Sequence, residues 1–203
     1  KSFHVTSEGA EYPEEHTFYV GVEKILLLVE DDPSALSDLN KAAQRYCTSR
    51  NSTSICTAVN VNDAQEKLAL FRQYSPNARF SAVLDYNMGI NQPGERKPSD
   101  ALFTDNNFKH YLSNGGLIVV FSGSMVNDAI NSPLIRNSLE EYKKFAFLCA
   151  VKSELNQDKL LKFVCNNSAP DKIEAIRRIA ENPKINYDLT TILNLYESKQ
   201  RKS

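Results

Sequence analysis

KILLLVEDD, residues 24–32, is the stretch whose reading decides the fold. The apolar residues 25–29 run without a polar break, which suits a strand buried on both faces, as in a parallel sheet, better than a strand with one wet face. The run stops abruptly at Glu30, Asp31 and Asp32, with Pro33 next. Leu36, Leu39, Ala43 and Tyr46 then recur at helical spacing, so Asp32 is expected to cap a helix that carries Pro33 in its first turn.

The same alternation continues outward. A second strand is predicted over 53–59, and Asn62 is expected to cap a helix with Ala64, Leu68 and Phe71 on one face. A third strand over 79–84 ends at Asp85. MGINQPGERKPSD, residues 88–100, is rich in turn formers and reads as an unusually long loop before a helix from about 100 to 112. Asn114, Gly115 and Gly116 stop that helix and deliver a fourth strand, LIVVF, with Ser122 and Gly123 at its end. Two helical stretches between 124 and 144, interrupted near 131–133, precede a fifth strand over 145–151. Lys152 follows, and then a helix from 155 to 164. Five strands with helical crossovers predict an α/β fold built on an open, doubly wound parallel sheet.

The flanks differ from this core. Residues 1–22 are polar and aperiodic and read as a tail or linker, 23–166 as the main domain, and 167–203 as a helical C-terminal extension. Ser168 with Asp171 suggests a capping box, with Ile173, Ile176 and Ala180 as a stripe before Pro183. Asp188 is expected to cap a last helix bearing Leu189, Ile192, Leu193 and Tyr196 on one side. Two short amphipathic helices must bury these stripes on the main domain, on each other, or on a partner.

Composition narrows the function classes. At 203 residues the chain can hold one sizeable core with appendages. The 24 Lys and Arg against 25 Asp and Glu give a net charge of −1, hence no general basic field for nucleic acid or an anionic membrane. No apolar run approaches the roughly 20 residues of a membrane helix. The opening residues have neither an initiating Met nor a hydrophobic signal core, as in an internal or processed fragment. Cys47, Cys56, Cys149 and Cys165 lack Cys-x-x-Cys spacing, and Cys56 and Cys149 fall in strand-like runs as small buried hydrophobes. A reducing cytosol is the simpler expectation, with disulfides left open by the even count.

In an open α/β sheet the ligand site lies beyond the carboxyl ends of the strands, where strand order reverses. Those ends carry Glu30, Asp31 and Asp32; Asp85; Ser122; and Lys152. Carboxylates held together repel, and a hard divalent cation relieves that repulsion while accepting phosphate oxygens. A lysine and a hydroxyl aimed at the same oxygens would stabilise the charge of a transferring phosphoryl group. Each residue alone has an ordinary reading as a cap, a turn residue or a solvated charge. Four strand ends with complementary chemistry favour phosphoryl transfer to a carboxylate nucleophile.

At these residues the sequence resembles the response-regulator receiver family of two-component signalling. ILLLVEDDP (25–33) resembles its first strand and acidic pair, AVLDYNMG (82–89) its phosphoacceptor motif, VVFSG (119–123) its hydroxyl segment, and FLCAVK (147–152) its lysine segment. The resemblance covers about 24–164 and implies a flavodoxin-like sheet. It also implies Mg²⁺ or Mn²⁺ held by Asp31 directly, by Glu30 through water, by Asp85, and by the backbone carbonyl of Asn87. Asp85 would be the phosphorylated residue, Ser122 and Lys152 would bond phosphoryl oxygens, and Gly123 would leave room. Cys149 stands where an aromatic switch residue is common. The implied donor is a histidine kinase or phosphotransfer protein, in the cytoplasm, with a downstream protein or a second copy as a further partner, and with neither nucleic acid nor membrane contacted by this segment.

Departures from the family pattern are specific. Gly89 replaces a common proline, and Ser153 replaces the proline whose peptide bond is often cis. The intervals from Asp85 to Ser122 and from Ser122 to Lys152 are long, and the Gly94, Glu95, Arg96, Lys97 segment reads either as shaping partner choice or, the preferred reading, as a solvated surface insertion. The alternative reading is a phosphorylation-independent pseudo-receiver acting as an interaction module. A related aspartyl phosphatase would want a general acid two residues after Asp85, where this chain has Asn87.

Overall fold

The computed structural model describes residues 2–6, 9–47, 53–88, 97–123 and 126–202. Five strands form one sheet: β1 (Lys24–Val29), β2 (Thr53–Ala58), β3 (Arg79–Leu84), β4 (Gly116–Ser122) and β5 (Phe145–Val151). Their order is β2-β1-β3-β4-β5 and every pairing is parallel. The helices are α1 (Pro33–Tyr46), α2 (Val61–Tyr74), α3 (Asn106–Asn114), α4 (Val126–Ile130), α5 (Pro133–Glu141), α6 (Gln157–Asn166), α7 (Pro170–Ala180) and α8 (Leu189–Arg201). The expected α/β architecture with extra C-terminal helices is therefore present.

Period-two alternation divides the apolar strand residues between two cores. Ile25, Leu27 and Val29 enter one core with Phe80, Ile118 and Phe147, under α2 and α3. Leu26 and Leu28 enter the other with Val83, Val119 and Leu148, under α1 and α6. Continuous apolar runs are thus required, because both faces of each inner strand are covered.

Local chemistry sets the helix boundaries. Asp32 caps α1 by accepting from the Ser34 amide, with Pro33 at the start, as the sequence indicates. Asn60, rather than Asn62, caps α2 through the Asp63 amide at 2.7 Å. The helix expected from 100 is two elements: a 3-10 segment, Ser99–Thr104, and then α3, restarted by Asp105, which accepts from the Asn107 and Phe108 amides. Gly115, at φ 86°, terminates α3 in a conformation that a side chain would strain.

The flanks are packed. Phe3–Val5 and Glu11–Pro13 pair antiparallel, and Tyr19 stacks edge-on against Phe71 at 4.7 Å between centroids. Ser75 ties this segment down, with its hydroxyl donating to the Tyr19 carbonyl and accepting from the Val22 amide. The described residues of this segment, 2–6 and 9–22, thus include contacts to α2 and to the turn that follows it. Ile173, Ile176 and Ala180 of α7, and Leu189 and Ile192 of α8, complete the core shared by α1 and α6, which answers where their stripes are buried. Asp188 caps α8 as expected, whereas α7 starts at Ala169 and Pro170 without a side-chain cap; Ser168 instead accepts from Lys24 Nζ.

Cys47 and Cys165 form a disulfide joining the C-terminal ends of α1 and α6, while Cys56 and Cys149 are buried free thiols. The simpler expectation of four reduced cysteines is corrected by the packing of α1 against α6, which brings the two Cα atoms to 5.6 Å. No helix among the described residues is long and apolar enough to cross a membrane.

Candidate phosphoryl-acceptor site

Strand order reverses between β1 and β3, and that is where the acidic residues meet. The sheet ladder extends one residue past the strands. The Glu30 amide donates to Ala58, the Asp85 amide to Val29, and the Lys152 amide to Ser122, at 2.9–3.1 Å. Glu30, Asp85 and Lys152 therefore project from a pinned backbone rather than from a free loop. Carboxylate oxygens of Glu30, Asp31 and Asp85 lie within 4.8 Å of one another.

Lys152 closes the cluster. Its Nζ lies 2.7 Å from Glu30 Oε2 and 3.6 Å from Asp85 Oδ2, with the ammonium over the Phe121 ring at 5.9 Å. The other Glu30 oxygen accepts from the Asp32 amide. The Glu30 side chain is 3% exposed and that of Asp85 11%. Burial pushes the Glu30 carboxyl up to about 7, with the Lys152 hydrogen bond opposing and the Asp85 charge reinforcing. Burial also raises Asp85, against Lys152 and a hydrogen bond with Glu30, while Asp31 adds repulsion. For Lys152 burial alone would lower the pKa, but the Glu30 hydrogen bond and the Asp85 charge outweigh it and the net shift is upward. Two buried acids beside one lysine are short of positive charge. A donor set made only of carboxylate oxygens, gathered and under-neutralised, fits a hard divalent cation.

Ser122 is buried at the end of β4, adjoining the β5 end through its carbonyl bond to Lys152. A Cβ on Gly123 would meet nothing within 4 Å, so the space beside Ser122 is open there whether or not the residue is glycine. Asn87 lies in a two-residue antiparallel pairing with Pro98, and the Ser99 amide donates to the Tyr86 carbonyl, fixing the backbone just after Asp85. Gly89, Gly94, Glu95 and Arg96 lie outside the described residues. No cis peptide bond occurs among the described residues; after Lys152 the chain turns instead through Glu154 and Leu155 amides bonded to the Val151 carbonyl.

Two features of the surroundings were not read from the sequence. Asp100 accepts from Ser132 at 2.8 Å and from Tyr86 at 3.3 Å, bracing the segment after Asp85 against α5. Burial, then Asp100, drives the Tyr86 phenol up to about 12, which keeps it a donor. The signal would have been the polar Tyr86 directly after the acidic strand end. Cys149 is fully buried in the middle of β5, and its amide donates to the Tyr187 carbonyl at 2.8 Å. The C-terminal extension therefore occupies the outer edge of β5, with Tyr187 stacked near Phe147 and under Arg136. Compared with protein-family models and with curated proteins, the chain matches none.

Proposed function

We propose that the chain is a phosphoacceptor receiver that takes a phosphoryl group from a phosphohistidine onto Asp85. The observation that carries this reading is the meeting of Glu30, Asp31 and Asp85 with Lys152 at the reversal point of a parallel sheet. An Asp85 oxygen would attack phosphorus as the phosphorus–nitrogen bond to histidine breaks, and the departing imidazole would take up a proton. Glu30, Asp31, Asp85 and the Asn87 carbonyl would hold Mg²⁺ or Mn²⁺, which supplies charge neutralisation at the phosphoryl oxygens when bound. Lys152 would exchange its Glu30 contact for a phosphoryl oxygen, a move of a long side chain whose backbone stays fixed. Ser122 would bond a second oxygen and carry the change to β5 and Cys149 as a shift between two populations.

The proposed donor is a cytoplasmic histidine kinase or phosphotransfer protein, and the output is a protein contact or self-association. Intact mass after treatment with acetyl phosphate and Mg²⁺ tests the reading. One metal-dependent phosphoryl adduct on wild type, lost in Asp85→Asn, supports it. No adduct on folded protein that also fails to bind beryllofluoride would replace it with the pseudo-receiver reading.

A further inference from the structure

The Cys47–Cys165 disulfide lies toward the amino end of the sheet, away from the acceptor chemistry. Both cysteines are half-buried, Cys47 as the residue that ends α1 and Cys165 in the last turn of α6. Both line a cavity of about 20 Å³ beside the starts of β1, β3 and β4, where Lys24, Arg79 and Gly116 stand. A space of that size holds roughly one water, so two thiols can move apart there without repacking the core. Among the described residues no acid lines it. Lys24 and Arg79 are held by hydrogen bonds to Ser168, an uncharged residue that leaves their charge in place. Burial and the Arg79 charge lower the Lys24 pKa although Glu23 opposes them, which marks the surroundings as short of negative charge. The other two cysteines sit in the opposite setting. Cys56 and Cys149 are buried free thiols, and burial pushes both up, Cys56 to about 12.

We infer that Cys47 and Cys165 are a reversible dithiol–disulfide pair, opened by a small dithiol in the folded protein, and that opening loosens the end of α6 from which the C-terminal extension departs. Partly exposed sulfurs beside positive charge are the setting in which a thiolate is stabilised and exchange proceeds. A thiolate of the reagent attacks one of the two sulfurs, the protein sulfur–sulfur bond breaks, and the electron pair leaves on the other sulfur, which takes up a proton. The reagent's second thiol then displaces the first protein sulfur, giving two protein thiols and one cyclic disulfide. The fold has a second tie for α6. Near its start, Asp158 accepts from Arg45 at 2.7 Å and from the Tyr46 hydroxyl, and Leu160, Leu161 and Val164 share a core with Leu39 and Ala43. Opening the bond therefore frees the last turn of α6 and the short link to α7, not the helix as a whole.

Treatment of the folded chain with millimolar dithiothreitol, without denaturant, followed by alkylation and peptide mass spectrometry, tests the assignment. Cys47 and Cys165 are expected to alkylate and Cys56 and Cys149 to stay unmodified, with the circular dichroism spectrum kept, and oxidised glutathione is expected to restore the bond. By hydrogen exchange, amides of residues 163–169 are expected to exchange at least ten-fold faster in the reduced protein, while those of β1, β3 and β4 remain the slowest of the chain. The double variant Cys47→Ser, Cys165→Ser is expected to show the faster exchange with or without dithiothreitol, and Asp85→Asn to behave as wild type. A bond that resists dithiothreitol until denaturant is added, a reduced protein that loses its circular dichroism signal, or equal exchange at 163–169 in the two states would each overturn the assignment.

Discussion

The two ends of the parallel sheet carry opposite charge in opposite settings. At the carboxyl end, Glu30 and Asp85 are buried and their pKa values are pushed up, so the fold bears a cost to hold them together. At the amino end, Lys143 and Lys144 stand in solvent. Charges taken out of water destabilise the fold where they sit, whereas solvated charges can be gathered at little cost. The difference teaches that burial, more than sign, decides what a charge costs the fold.

The largest expected effect breaks the acidic end outright: on the proposed reading, Asp85→Asn abolishes the phosphoryl adduct in mass spectrometry while leaving the fold intact. Next, reduction of the Cys47–Cys165 bond, or its replacement by two serines, lowers unfolding free energy by up to about 5 kcal/mol in denaturant titration, given the 118-residue separation it closes. A smaller effect separates the two ends by pH. Glu30 keeps its proton in the fold up to about pH 7, against an ordinary value of 4.5. Its contribution to stability is full below pH 4.5 and is lost as pH rises through 7. In EDTA, thermal stability should therefore fall across that window, and Mg²⁺ should restore it at pH 8 more than at pH 5. Differential scanning calorimetry reads both. The smallest effect is at the cationic end, where Lys143→Ala with Lys144→Ala should change stability by less than about 0.5 kcal/mol at any pH in the same range.

Much of the acidic end was legible before the structure because it follows from strand ends. Apolar runs fix where β1, β3, β4 and β5 stop, and residues that stop a buried parallel strand share one edge of the sheet. Glu30, Asp31, Asp85 and Lys152 are brought together as that reasoning requires. The direct Glu30–Lys152 ion pair was not legible, because it depends on side-chain reach from the end of β5 past β4 and β3 to the end of β1. Asn60 and Asn62 are equally good caps in sequence, and only the start of α2 chooses between them. The break between Thr104 and Asn106 was hidden because the turn-forming Asp105 also suits a helix surface. A cleft at the amino end of the sheet draws on residues far apart in sequence, from Arg79 to Arg177, and no local spacing announces it. The N-terminal pairing was missed for a related reason: three-residue strands carry too little period to read.

The Cys47–Cys165 bond spans 118 residues, and so encloses β2 through β5 and every residue between them. A protease that cuts once anywhere inside this ring leaves a single covalent molecule. The cut would be silent on a non-reducing gel and would show as two bands only after a thiol is added, so paired gels give a direct reading of whether the ring is closed in any given preparation.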